Sequence, residues 1–197
     1  MKALRSDCLR VISGKKRGFK LKGPKSPRIR PTQDRVKESL FNILGYIDEE
    51  SIVLDLFSGS GSVGIEFLSR GAKECYFVDS SVESIKIIKK NLINIEFMDQ
   101  ASVYKKDVFV AIKLLSKKDL KFDYIYIDPP YSKLIEHKIL QAICDVEIIK
   151  ETGIIIVEHS KRNTLEDSIL LLNKIDSRNY GDKSLTFYKK DIKKGGI

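Results

Sequence analysis

The segment Asp128-Pro129-Pro130-Tyr131 follows the mostly apolar run FDYIYI at 122–127 and combines a carboxylate, two rigid residues and an aromatic ring. Consecutive prolines form a stiff turn and donate no amide proton, so the Asp128 carboxylate and the Pro129 carbonyl can both act as acceptors. Two acceptors suit the exocyclic amine of a nucleic-acid base, whose nitrogen becomes positively charged as it attacks a methyl group. The ring of Tyr131 can stack on a base that has left its helix. We predict that these four residues form a catalytic loop.

A second segment joins a predicted strand to a predicted helix through three glycines, with the spacing Gly59-x-Gly61-x-x-Gly64. Such glycines let the backbone turn tightly and approach a ligand closely. Asp79 ends the next predicted strand, 20 positions after Gly59, where a carboxylate can accept hydrogen bonds from ribose hydroxyls. The glycines alone fit either a dinucleotide or S-adenosylmethionine. Asp55 favours S-adenosylmethionine, because an acid at this strand end repels a pyrophosphate but attracts the ammonium group of a methionine moiety.

Alternating strands and helices must position these segments. Apolar runs predict strands at 52–54, 75–78, 102–104, 122–127 and 153–158. Apolar positions at helical spacing predict helices at 33–44, 63–70, 82–92, 108–115 and 134–143. This alternation indicates a mostly parallel, doubly wound sheet, with a crevice at the carboxyl ends of its strands. The acids that follow four of the strands would border that crevice: Asp55, Asp79, Asp107 and Asp128.

Local signals predict how some of these elements begin and end. Thr32 is the predicted N-cap of the first helix, and Ser80 with Glu83 predicts a capping box before the third helix. Two strand-like runs at 170–179 and 184–189 are separated by a turn, which predicts an antiparallel hairpin at one edge of the sheet.

The charge of the chain is concentrated at its N-terminus. The 197 residues, a length typical of one domain, carry a formal net charge of +9. Residues 1–37 carry a net charge of +11 and the remainder −2, which predicts a polyanionic partner for this segment. At 10–12 and 18–21 the residues alternate as they do in β-strands, which favours an ordered hairpin over a solvated tail.

Composition excludes several classes of protein. Hydrophobic residues make up 42% of the chain and charged residues 32%, and no apolar run approaches the roughly 20 residues that span a bilayer. Charges interrupt the basic start before an apolar stretch of signal-peptide length can form, so we expect a cytoplasmic protein. Three separated cysteines without C-x-x-C spacing and two histidines predict neither a disulfide framework nor a metal site.

Asp55 to Gly61 and Asp128 to Tyr131 resemble the cofactor and catalytic motifs of class I S-adenosylmethionine-dependent amino-methyltransferases. Four further runs narrow the resemblance: RVISG at 10–14, RPTQDRVKE at 30–38, LFNIL at 40–44 and LTFY at 185–188. They are similar to the RsmD family of bacterial 16S rRNA guanine-N2 methyltransferases. The resemblance implies methyl transfer from S-adenosylmethionine to one guanine N2 amine of 16S rRNA, within an assembled or assembling small ribosomal subunit.

The resemblance also implies the fold and the domain organisation. We expect an α/β, Rossmann-like class I methyltransferase fold with a mostly parallel, doubly wound seven-stranded sheet. An antiparallel C-terminal hairpin would lie at one edge, and a small basic β-hairpin would extend the N-terminus. The division of the chain would be a basic arm at 1–30 and a methyltransferase domain at 31–197, with no contact to a membrane.

Particular residues take roles by the same resemblance. Asp79 would bind the ribose and Asp107 the adenine amine of the cofactor. The full expected cofactor set is Asp55, Phe57, Ser58, Gly59, Gly61, Asp79 and Asp107. The expected RNA contacts are basic residues of the arm and the first helix, namely Arg10, Lys15, Lys16, Arg17, Arg28, Arg30 and Arg35.

Two other functions remain open from the residues themselves. An adenine-N6 methyltransferase acting on DNA or RNA would present the same acceptors to its amine, although a DNA enzyme would need room for a sequence-reading domain. A non-catalytic RNA-binding assembly protein could keep the fold. Glu158-His159-Ser160 departs from the more acidic stretch expected in the family, which leaves the role of His159 open.

Overall fold

A computed structural model describes residues 9–23, 31–130 and 135–191, with only the backbone described at 31–33. Within these ranges the chain forms five α-helices, eight strands and one 3-10 turn at Met98–Gln100. The helices are α1 (Pro31–Leu44), α2 (Ser62–Ser69), α3 (Val82–Asn94), α4 (Val108–Ser116) and α5 (Glu136–Val146). The strands are β1 (Ile52–Leu56), β2 (Glu74–Asp79), β3 (Ala101–Lys105), β4 (Phe122–Ile127), β5 (Ile149–Ser160), β6 (Ser168–Ile169), β7 (Leu172–Tyr180) and β8 (Lys183–Lys190).

The described strands form one sheet in the order β3-β2-β1-β4-β5-β8-β7-β6. The first five pair in parallel, and β8, β7 and β6 add an antiparallel edge. This confirms the predicted doubly wound sheet with its C-terminal hairpin. The sheet has one strand more than expected, because β6 contains two residues and is too short to produce an alternating pattern.

Two apolar cores cover the two faces of the sheet. Neighbouring residues of one strand belong to different cores, as Val53 and Leu54 do in β1, because successive side chains point to opposite faces. The first core joins β1, β2 and β4 to α1, α2, α3 and the N-terminal hairpin, and the second packs α4 and α5 on the other face. The side chain of Asp55, between Leu54 and Leu56 in β1, therefore lies on the face of the first core.

Two predicted helix caps differ from the structure. The N-cap of α3 is Ser81 rather than Ser80: its hydroxyl accepts the Ser84 N–H at 3.3 Å, while its own N–H donates to the Asp79 carboxylate at 2.8 Å. Helix α1 begins at Pro31, so Thr32 lies inside its first turn. Proline suits the first helical position because its fixed φ matches the helix and its missing N–H would have no partner there.

The described part of the N-terminal arm is a short hairpin. A single antiparallel bridge joins Arg10 to Lys20, and the N–H of Val11 donates to the carbonyl of Phe19 at 3.0 Å. The side chains of Leu9 and Val11 are buried in the first core. The hairpin therefore packs into the apolar core on one face of the sheet.

Close backbone contact fixes this hairpin to the end of α2. The N–H of Lys15 donates to the carbonyl of Ser69 at 2.7 Å, and the Ser69 hydroxyl donates to the carbonyl of Ser13 at 2.6 Å. A Cβ at Gly14 would lie 1.9 Å from the Ser69 carbonyl oxygen, and Gly14 has a φ of 80°. Only glycine fits this position, which explains the glycine at the end of the RVISG run.

Candidate active site

The parallel strands end level with one another and bring the predicted acids to one edge of the sheet. In the strand register, Asp55 of β1 lies beside Phe77 of β2 and Tyr126 of β4. Asp128 follows β4 directly, and its N–H lies 3.5 Å from the carbonyl oxygen of Leu56. Asp55 and Asp128 line a common cavity of about 300 Å³.

The cavity lies between the sheet and the N-terminal part of the chain. Leu9 and Gly23 of the arm, together with Lys37 of α1, line it opposite the strand ends. The glycine loop forms another wall through Ser58 and Gly59. The arm thus contributes to the wall of the pocket as well as to the surface.

Hydrogen bonds from the glycine loop fix the two acids at the carboxyl ends of β1 and β2. The N–H of Gly59 donates to the Asp79 carboxylate at 2.9 Å, and the N–H of Gly64 donates to the Asp55 carboxylate at 3.0 Å. The Ser58 hydroxyl donates to the carbonyl of Asp55 at 2.6 Å and so ties the loop to β1. These bonds place both carboxylates before any ligand enters.

The first two glycines of the loop have different surroundings. Both have positive φ, 55° at Gly59 and 76° at Gly61. A Cβ on Gly59 would meet only the Phe57 carbonyl oxygen at 3.9 Å, so this position borders open space. A Cβ on Gly61 would lie 3.3 Å from the side chain of Ile88, so Gly61 is packed against α3. Gly59 is therefore the position at which a ligand can approach the backbone.

Burial governs the charge of Asp55. Its side chain is almost fully buried, and this burial raises the pKa of its carboxyl to about 7. The hydrogen bond from Gly64 acts in the opposite direction, and the neighbouring charge of Asp79 adds to the increase. A cationic ligand beside Asp55 would favour its ionised form.

A smaller cavity of about 160 Å³ adjoins the glycine loop on the side of β3. Phe57, Asp79, Asp107 and Phe109 are among its lining residues. Asp107 is the N-cap of α4, and its carboxylate accepts the N–H of Phe109 at 2.9 Å. Phe57 itself has a φ of 60°, a conformation uncommon for a bulky residue, and it borders this cavity and the larger one.

The described part of the predicted catalytic loop lines the same crevice. Pro129 is buried and Pro130 exposed, and both line a cavity of about 470 Å³ together with Asp79 and Asp128. Tyr131 lies outside the described residues. Burial and the charge of Glu158 raise the pKa of the Asp128 carboxyl well above its ordinary value, whereas Lys183 acts to lower it.

Three functional candidates were not predicted from the sequence. The Tyr126 hydroxyl donates to the Glu158 carboxylate at 2.6 Å, and the Lys183 ammonium donates to the other oxygen of the same carboxylate. All three side chains line the 300 Å³ cavity with Asp128. Glu158 is an acid at the end of an apolar run, and the same pattern pointed to Asp128. Lys183 has no such signal in the sequence.

The predicted RNA contacts differ in their surroundings. Lys15, Arg17 and Arg35 are exposed. Arg10 forms an ion pair with Asp34 at 3.5 Å, and Lys16 forms one with Glu96 at 2.7 Å. Arg28 and Arg30 lie outside the described residues.

His159 is a buried link between strands. Its Nε2 lies 2.8 Å from the Thr186 hydroxyl of β8 and its Nδ1 lies 3.0 Å from the Ser160 carbonyl. Burial lowers the pKa of the His159 imidazole. Because it follows Glu158 in β5, its side chain points to the opposite face of the sheet from that carboxylate.

The described residues contain neither a metal-binding cluster nor a helix that could span a membrane. No group of three or more histidines, cysteines or acids in the described ranges could hold a metal ion. Within the same ranges, no helix combines the length and the apolar character needed to cross a membrane.

The chain is similar to several known proteins. It matches the family described as "Conserved hypothetical protein 95" over residues 9–189. It is 38% identical to YlbH of Bacillus subtilis (strain 168), over 92% of this chain and 99% of that protein. It is 35% identical to Ribosomal RNA small subunit methyltransferase D of Haemophilus influenzae, over 80% of this chain and 81% of that protein.

The chain is also similar to solved structures. The structure of yhhF from Escherichia coli superposes with a TM-score of 0.80 at 26% identity, covering 94% of this chain and 99% of that one. The predicted class I methyltransferase fold is thus confirmed. The chain belongs to the Conserved hypothetical protein 95 family, the RsmD family of methyltransferases.

Proposed function

We propose that this protein transfers a methyl group from S-adenosylmethionine to the N2 amine of a guanine in 16S rRNA, within the small ribosomal subunit and in the cytoplasm. The observation that carries the proposal is the common cavity of Asp55 and Asp128, which would set a cofactor site beside a carboxylate that can hold an amine. Membership of the RsmD family supports rRNA as the substrate. The proposal needs no metal ion.

The residues of the crevice fit S-adenosylmethionine. Asp55 would attract the methionine ammonium, Asp79 would accept from the ribose hydroxyls, and Asp107 with Phe109 would border the adenine. The open space beside Gly59 leaves room for the ligand against the loop backbone. When bound, this cofactor supplies an electrophilic methyl group on a sulfonium.

The chain itself would orient the amine and stabilise its charge. The Asp128 carboxylate and the Pro129 carbonyl would accept the two N–H bonds of the N2 amine, which directs its nitrogen toward the crevice. As positive charge develops on that nitrogen, the ionised Asp128 would stabilise it. Methylation of an amine then needs no strong base, because the cationic nitrogen product loses its proton readily.

The direct test is nucleoside mass mapping of 16S rRNA from cells with and without the gene. We expect 2-methylguanosine at one position to disappear without the gene and to return when purified enzyme and S-adenosylmethionine are added to the isolated subunits. Loss of N6-methyladenosine instead would establish the adenine alternative. If no nucleoside changed and the protein bound no S-adenosylmethionine in a calorimetric titration, the assembly-protein alternative would stand.

The raised pKa of Asp55 predicts a pH dependence of cofactor binding. The protonated carboxyl does not attract an ammonium group, so affinity requires the ionised form and decreases as pH falls through about 7. From pH 7 to pH 5.5 we expect the association constant of S-adenosylmethionine to decrease by about 15-fold, while the ligand's own amine stays protonated.

Calorimetry on the wild type and on Asp55→Asn checks this expectation. The variant keeps the shape of the side chain and the other acids of the cavity, so the difference between the two pH curves reports Asp55 alone. Parallel curves for the two proteins would contradict the role of this carboxylate.

The exposed charges of the arm would bind rRNA phosphates. Each phosphate contact contributes a slope of roughly −0.7 to −0.9 in log K against log salt concentration. Alanine at Lys15, Arg17 and Lys20, which are exposed, should therefore weaken binding to small ribosomal subunits and flatten this slope by roughly two to three units. Lys16 is left unchanged because it is paired with Glu96.

A matched variant with alanine at Lys113, Lys117 and Lys138 removes the same charge from exposed positions on or just after α4 and α5, the helices of the other face. Both variants should bind S-adenosylmethionine normally. Equal salt slopes for the two triple variants would show that the arm is not the RNA-binding surface.

A further inference from the structure

Three neighbouring strands present polar side chains to the cavity in a defined order. Ile127 of β4 pairs with Val157 of β5, so Asp128 and Glu158 come next to each other at the ends of these strands. On the far side of β5, Lys183 of β8 pairs with Ser160. Across the sheet, the order is therefore carboxylate, carboxylate and ammonium. Asp128, Glu158 and Lys183 all line the 300 Å³ cavity, so the three groups lie in one site.

Of these three groups, the carboxylate of Glu158 lies in the middle, and its neighbours hold it in place. Glu158 is only 4% exposed, and it accepts the Tyr126 hydroxyl on one oxygen and the Lys183 ammonium on the other. Lys183 also lines the 470 Å³ cavity with Pro129 and Pro130. The ion pair thus lies between the proposed methionine site and the catalytic loop.

We propose that Glu158 and Lys183 read the Watson–Crick edge of the target guanine, beside the amine held by Asp128. That edge presents a donor at N2, a donor at N1 and an acceptor at O6, in this order. Asp128, Glu158 and Lys183 supply an acceptor, an acceptor and a donor in the same order across the sheet. A flipped base is commonly read by hydrogen bonds to this edge.

The same three groups discriminate against adenine. Adenine has an acceptor at N1, which would face the Glu158 carboxylate, and it has no oxygen for the Lys183 ammonium. An unmatched polar group in a desolvated site loses its hydrogen bond to water without replacement, so the wrong base is penalised. A carboxylate and an ammonium that served only to hold β5 to β8 would have no preference between bases.

This inference rests on the proposed guanine-N2 activity and can be tested apart from it. Small ribosomal subunits are reconstituted with either guanine or 2-aminopurine at the position that the wild type methylates. 2-Aminopurine keeps the N2 amine but has an acceptor at N1 and no O6. The enzymes compared are the wild type, Lys183→Met, Glu158→Gln and Lys190→Met.

Lys190→Met is the matched control. Lys190 is also on β8 and also pairs with a glutamate of β5, Glu151 at 2.6 Å, but it lies at the opposite end of the strands. Thermal midpoints and S-adenosylhomocysteine affinity, measured for all four proteins, separate a loss of base reading from a loss of folding or of the cofactor site.

The wild type and Lys190→Met should prefer guanine over 2-aminopurine in kcat/KM. In Lys183→Met, kcat/KM for guanine should decrease by roughly 10- to 100-fold, while that for 2-aminopurine changes by less than about threefold. Glu158→Gln should also lose the preference, because its amide can donate to N1 of 2-aminopurine. Folded variants that keep the wild-type ratio of the two substrates would overturn the inference and leave the activity in place. No 2-methylguanosine from the wild type would instead overturn the proposed function.

Discussion

Asp128→Asn should lower kcat for methyl transfer by on the order of 10²–10³, the usual cost of removing one preorganised group that stabilises charge in the transition state. The amide keeps the size of the side chain but carries no negative charge. It therefore cannot stabilise the positive charge that develops on the amine nitrogen. Single-turnover assays on small ribosomal subunits, with S-adenosylmethionine in excess, measure this step directly.

Binding of S-adenosylhomocysteine tests whether the loss is confined to chemistry. This ligand has no sulfonium charge, so its affinity should change by less than about threefold in Asp128→Asn. Asp123→Asn is the matched control, since Asp123 lies at the other end of β4, where it accepts the Ile52 N–H and the Lys150 ammonium. Near wild-type kcat in Asp128→Asn would remove this residue from the catalytic set.

Acid should also inactivate the wild type. Burial, Glu158 and Asp55 raise the pKa of the Asp128 carboxyl, and only its ionised form can stabilise a cation. The protonated form predominates as pH falls, so kcat should decrease toward acid pH in the wild type and depend less on pH in Asp128→Asn. The pairing of Glu158 with Lys183 reduces the negative charge beside Asp128 and so favours its ionisation.

The sequence predicts well those elements whose signal is local. Strand β4 begins at Phe122 and ends at Ile127, as its mostly apolar run, interrupted only by Asp123, predicts. Strand β5 begins four residues before its predicted start. The charged residues Lys150 and Glu151 near its first residue interrupt the apolar run, although the backbone there is already extended. The glycine loop was also predictable, since its spacing encodes backbone conformation directly.

The polar cluster at the cavity could not be predicted in the same way. Tyr126 and Glu158 are 32 residues apart, and Lys183 follows Glu158 by 25. Their contact depends on β8 entering the sheet between β5 and β7, which no local pattern specifies. A lysine after a turn resembles any exposed charge until the strand order is known.

The arm shows a similar limit. Its charge predicts an RNA-binding segment, but its attachment depends on Glu66, the one charged residue of helix α2. Glu66 is fully buried and accepts the N–H groups of Ile12 and Ser13 at 2.7 and 2.9 Å. Lys37, also buried, lies 3.5 Å from the same carboxylate and donates to the Arg10 carbonyl at 2.6 Å. These partners are 29 to 54 residues from Glu66 in the chain, beyond any local pattern.

Glu66→Ala should therefore be one of the most destabilising changes in this chain. It removes the acceptor of two amide groups of the arm and leaves the Lys37 ammonium buried without this counter-charge. Burial already lowers the pKa of the Lys37 ammonium, and Glu66 is the main group that opposes this decrease. Removing one partner of a buried ion pair costs about 3–5 kcal/mol, which urea unfolding can measure.

The control is Glu50→Ala, which removes an exposed acid paired with Lys73 and should leave the unfolding midpoint almost unchanged.

Hydrogen exchange at the amides of Ile12 and Ser13 shows where the stability is lost. If Glu66 holds the arm, exchange of these two amides should be faster in Glu66→Ala than in the wild type, and this increase should exceed the increase at the amides of β4. Because Leu9 and Gly23 line the cavity, detachment of the arm should also weaken S-adenosylmethionine binding. Unchanged protection of both amides would show that the Ser69 contacts alone hold the hairpin, and that the buried acid acts only within the core.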